Sequence, residues 1–141
     1  MQKKKIMLDT NILISAVAFN SISISKLMEV ITNKKKLTTI LCSYVIDESY
    51  EVVSRKFPTK TNNLKKLLFG LRYESFDTPE VLPDHDFFTI RDMKDEKVLY
   101  SAILADVDIL ITGDKDFSDV NIERPEICTP FEFLEKYSDF I

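Results

Sequence analysis

Two short apolar runs constrain this chain more than any other feature of its sequence. Residues 6–8 read Ile6-Met7-Leu8 and residues 109–111 read Ile109-Leu110-Ile111, with no polar break in either. A strand with one wet face alternates apolar and polar side chains. An unbroken run has no wet face, and it suits a central strand covered by helices on both sides. Both runs end abruptly in polar residues, Asp9-Thr10-Asn11 after the first and Thr112-Gly113-Asp114 after the second.

The segments between them alternate in period. Helical spacing runs over 11–19 and 21–33, the second with Ile24, Leu27, Met28 and Ile31 on one face. Residues 37–42 are strand-like, and Ser43 is placed to cap a helix reaching about residue 57 before Pro58 stops it. A further helix is predicted over 61–71, then short β pieces and turns over 73–88. A helix over 94–105 leads into a strand at 108–111. A last short strand at 127–129 precedes a helix over 130–137, where Pro130 suits the first turn. Strands alternating with helices predict an α/β fold: a three-layer α/β/α sandwich around a central parallel sheet, as one domain over 1–141. A chain of this length can bury a core without staples, and Cys42 and Cys128 read as reduced, buried thiols.

In open α/β sheets ligands bind beyond the carboxyl ends of the strands, near the point where strand order reverses. Asp9 stands at such an end, although Asp, Thr and Asn also favour helix starts and turns. Asp114 and Asp116 follow the 109–111 run, where Gly113-Asp114 is equally good turn chemistry. Asp95 falls in the first turn of its helix, in line with Leu99 and Ala102 on the buried face. An acid there is costly unless paired, protonated or bound to a cation; the competing reading is a capping pair with Asp92. Glu48 lies at the border of the stripe Val45, Ile46, Val52 and Val53, a position open to a cleft and equally to solvent. Clustered carboxylates repel, and hard divalent cations such as Mg²⁺ relieve that repulsion. No Cys/His pattern for zinc exists; the single histidine, His85, lies in the Pro/Asp-rich segment 79–86 and reads as a surface residue.

The four acidic regions resemble, in order, those of the PIN-domain ribonucleases, in particular the compact VapC-like toxins of toxin–antitoxin pairs. Residues 6–16, 43–53, 92–102 and 109–117 carry the likeness, which spans nearly the whole chain. The resemblance implies Mg²⁺ or Mn²⁺ held by Asp9, Glu48, Asp95 and Asp114, with Asp116 as an accessory acid and Asn11 and Thr112 in support. It further implies an RNA substrate, an antitoxin partner and a homodimer. The 79–86 segment departs from the pattern, and the neighbouring acids Asp47, Asp92 and Glu96 compete for the second and third positions.

Charge divides along the chain. Residues 1–75 hold 13 Lys/Arg against 6 Asp/Glu, and residues 76–141 hold 6 against 17. RNA-backbone contacts are therefore expected from the first half, at Lys34, Lys35, Lys36, Arg55 and Lys56. The basic start could open an export signal, but Asp9 and Asn11 interrupt the apolar run behind it. Nothing else is long or apolar enough to span a bilayer, so the expectation is a cytoplasmic protein without a membrane partner. Two rival functions stand beside the nuclease. Phosphoaspartate-type phosphatases and receiver domains also place Asp at strand ends, but the phosphatases want a second acid where Asn11 stands. A catalytically inactive PIN-like binding module would keep the fold and lose the acids, which are present here.

Overall fold

A computed structural model describes residues 3–19, 21–33, 35–82 and 88–137. Five strands form one parallel sheet in the order β3-β2-β1-β4-β5. They are β1 (Lys4–Leu8), β2 (Leu37–Cys42), β3 (Glu74–Phe76), β4 (Ile109–Ile111) and β5 (Glu126–Cys128). Helices α1 (Thr10–Ala18) and α2 (Ile22–Asn33) link β1 to β2, and α3 (Ser43–Lys56) and α4 (Thr61–Leu71) link β2 to β3. Helix α5 (Met93–Leu104) lies between β3 and β4, and α6 (Pro130–Lys136) follows β5.

The chain steps outward from β1 to β2 to β3, then returns past β1 to β4 and β5. Right-handed crossovers place α1 to α4 on one face and α5 on the other, giving the three-layer α/β/α sandwich expected. Ile6, Met7 and Leu8 are completely buried, and the residues of β4 nearly so, as strands covered on both faces must be. Each such side chain contributes roughly 1.5–3 kcal/mol relative to exposure, so the two central strands anchor the sheet. Strand order reverses between β1 and β4, which pair in register from Ile6 with Ile109 to Leu8 with Ile111.

One local expectation is overturned. Ser43 is not the cap of α3: Cys42 holds that position, without a side-chain cap bond, and Ser43 is already helical. Strand β2 runs directly into α3 with no residue between them. The Ser43 hydroxyl is instead engaged from outside, accepting from Thr78 N at 2.9 Å. Among the described residues no single helix is long and apolar enough to cross a membrane.

Candidate active site

Only Asp9 separates β1 from α1, so its side chain must satisfy the start of the helix. Oδ1 accepts from Thr10 N at 2.7 Å, and Oδ2 accepts from Thr112 Oγ1 at 2.7 Å across the β1–β4 junction. The capping and cluster readings of Asp9 are both met by one carboxylate. It is 4% exposed. Burial pushes its pKa up to about 6, against the lowering effect of the Thr112 and Thr10 hydrogen bonds; the charges of Asp114 and Glu48 add to the rise.

Beyond β4, Thr112 Oγ1 accepts from Asp114 N at 3.0 Å, and Gly113 N donates to Asn11 Oδ1 at 3.2 Å. Asn11 and Thr112 thus lace the two strand ends together. Asp114 caps a short 3₁₀ turn, Lys115–Phe117, by accepting from Asp116 N at 2.9 Å. Asp116 Oδ1 in turn accepts from Arg91 Nη2 at 2.7 Å.

Helix α5 brings two acids from the opposite face of the sheet. Asp92 caps it, accepting from Lys94 N at 2.9 Å. Asp95, in the first turn, is buried as its helical register predicts, and its Oδ2 has no hydrogen-bond partner. Burial holds its carboxyl well above the usual range, and a shared hydrogen bond with Asp114 and the charges of Asp114, Asp9 and Asp92 reinforce the shift. Carboxylate oxygens of Asp92, Asp95 and Asp116 all lie within 4.8 Å of one another. Glu48 arrives from α3, its Oε2 accepting from Tyr44 Oη at 2.8 Å with Lys94 Nζ at 3.8 Å.

Of the five expected acids, Asp95 and Asp116 lie together with Asp92. Asp114 and Glu48 act through their charges on Asp9, as Asp9 and Asp114 do on Asp95, and Asn11 and Thr112 join the β1 and β4 ends. Asp92, in sequence both a cap and a competitor for the acidic positions, caps α5 and also lies beside Asp95 and Asp116. Tyr44 was missed, although its spacing of four from Glu48 is the signal of a helical side-chain pair.

The expected RNA-backbone residues are not brought together with the acids. Lys4 pairs in register with Leu37, so Lys35 and Lys36 lie at the amino edge of the sheet. That edge is about 16 Å from Asp9 at the rise of a strand. Arg55 and Lys56 end α3, about 10 Å further along the helix than Glu48, and Arg55 pairs with Glu51. A surplus of positive charge in the first half of the sequence says nothing about which sheet edge receives it. Among the described residues, the basic groups paired with these acids are Arg91, on Asp116, and Lys94, beside Glu48. Lys34, His85 and the 83–86 part of the acidic loop lie outside the described residues.

A family model described as a PIN domain matches residues 5–116. An uncharacterized protein from Methanocaldococcus jannaschii is 27% identical over 148 residues, covering 99% of this chain and 95% of the relative. A chain in the crystal structure of VapBC2 from Rickettsia felis, bound to a DNA fragment from their promoter, superposes with a TM-score of 0.61 at 20% identity. That match covers 88% of this chain and 96% of the other.

Proposed function

From the chain's membership of the PIN-domain family, we propose that it is a metal-dependent endoribonuclease, built as one domain and acting as the toxin of a toxin–antitoxin pair. The observation that carries this reading is the cluster of Asp92, Asp95 and Asp116 carboxylates within 4.8 Å of one another, with Asp95 Oδ2 buried and unpartnered and the charges of Asp9 and Asp114 acting on Asp95. A buried carboxylate oxygen without a donor is costly on its own and suited to a cation. The donor set is entirely oxygen, which fits Mg²⁺ or Mn²⁺ and not zinc. Asp9, Glu48, Asp95 and Asp114 would hold the ion, with Asp116 as an accessory acid and Asp92 beside them.

When bound, such an ion activates water and stabilises negative charge on a phosphodiester. The chain's own contribution is positional. Thr112 and Thr10 N fix both oxygens of Asp9, and Asn11 holds the Gly113 backbone so that Asp114 meets it. Burial and the neighbouring acids raise the Asp95 carboxyl in the metal-free chain, a cost that a bound cation would relieve. Phosphoaspartate chemistry is disfavoured because the phosphatases want a second acid two residues after the nucleophile, where this chain has Asn11. The VapBC2 likeness supports an antitoxin partner, the family resemblance supports a homodimer, and the interrupted apolar run at residues 6–11 supports a cytoplasmic location.

The test is cleavage of total RNA with Mg²⁺ or Mn²⁺. Wild-type protein is expected to cut, and EDTA to stop it. Asp9→Asn and Asp114→Asn are expected to lose at least about 100-fold in rate while keeping a folded circular dichroism spectrum. Full activity in either variant would sink the assignment.

A further inference from the structure

Glu48 is the candidate ligand with the least support from its own backbone. Asp9, Asp92 and Asp114 each accept a backbone N–H at the element they open, and Asp95 is packed into a first turn. Glu48 stands in the second turn of α3, half-buried, on a long side chain that loses rotamer freedom when held. Its carboxylate is nevertheless held from within the helix. Tyr44, one turn earlier, donates its phenol hydrogen to Oε2 at 2.8 Å. Tyr44 is itself anchored twice: its backbone N donates to Thr78 Oγ1 at 3.2 Å, and Lys97 Nζ lies 5.1 Å from its ring centroid. Burial and the neighbouring Glu48 hold the phenol above its ordinary range, so it remains a donor.

Resting on the metal-centre reading above, we propose that Tyr44 is a positioning residue for that centre: its hydroxyl holds Glu48 Oε2 and presents the carboxylate to the acids at the β1 and β4 ends in one orientation. The charge of Glu48 is felt at Asp9, so the two carboxylates already face one environment. Partners that orient metal ligands typically matter about 10- to 100-fold in metal affinity. A hydroxyl serving only helix stability, as an ordinary pair four residues apart, would change melting behaviour and leave metal affinity alone.

A double-mutant cycle read by Mn²⁺ titration calorimetry on the whole chain separates these roles. Tyr44→Phe keeps the ring and its Lys97 contact. It is expected to weaken Mn²⁺ binding about tenfold in the wild-type background and less than about twofold when Glu48→Gln is already present. Glu48→Asp, which keeps the charge but withdraws it from the hydroxyl, is the second probe; it is expected to lose affinity similarly and to be unaffected by adding Tyr44→Phe. Wild-type affinity in Tyr44→Phe, or an equal loss in both backgrounds, overturns the positioning role. Wild-type protein that binds no Mn²⁺ overturns the metal-centre reading and the positioning role together.

Discussion

The Asp9 carboxylate satisfies a helix start and a cross-strand threonine while almost wholly removed from water, and this has a measurable consequence. Its folded pKa of about 6 lies above the ordinary 3.8, so folding favours the protonated form. The stability that this protonation brings is fully present below about pH 4 and lost as pH rises through about 6, on the order of 3 kcal/mol. In metal-free protein, Asp9→Asn is therefore expected to melt roughly 5–10 °C higher than wild type at pH 7.5. The gap should close towards pH 4. Mn²⁺ should raise the melting temperature of wild type and not of the variant. A gap that stays constant across pH would show that burial of the charge is not its cause. At this scale Asp9 and Asp95 were legible in the sequence, because a strand end and a helical face each fix where a side chain goes. Tyr44 was not, since an aromatic in a first turn is already accounted for by packing, and Asp92 was only half legible, because its capping role competes with its place among the acids.

Between elements, α3 and α5 approach each other beyond the carboxyl edge of the sheet, where they are tied by Thr78, just beyond β3. Its backbone N donates to Ser43 Oγ, and its Oγ1 accepts from Tyr44 N and from Ser101 Oγ at 3.1 Å. One residue thus ties the start of the helix carrying Glu48 to the buried face of the helix carrying Asp95. Thr78→Val keeps the shape and removes the acceptor from two donors, an expected cost of about 1–3 kcal/mol in urea unfolding. Mn²⁺ affinity should fall with it, and Thr78→Ser should restore both. Unchanged affinity in the valine variant would mean that helix packing alone sets the acid geometry. The sequence revealed β2 and α4 to the residue, because Pro58 and the apolar periodicity leave few alternatives. It could not reveal that Ser43 faces Thr78, a contact made between residues 35 apart in sequence.

For the whole molecule, charge has to be counted by sheet edge and not by half of the chain. Lys35 stands at the amino edge, away from the acids, whereas Lys115 is exposed in the turn between Asp114 and Asp116. Lys35→Glu is expected to leave RNA cleavage and its salt dependence unchanged. Lys115→Glu should weaken RNA binding and flatten the salt slope by about one unit in log–log form. The reverse pattern, measured by binding titrations at several salt concentrations, would move the substrate path to the amino edge.

The position of β1 in the middle of the sheet also governs when the molecule becomes competent. The ribosome makes this central strand before its β4 neighbour, which lies about a hundred residues further on. Until residue 114 has left the exit tunnel, Asp9 has neither Thr112 nor Asp114 beside it. Pairing over such a separation is among the slower steps open to a chain of this size. A chain truncated between the two strands therefore carries the first acid without its counterparts, and the acid cluster assembles only once both segments are present.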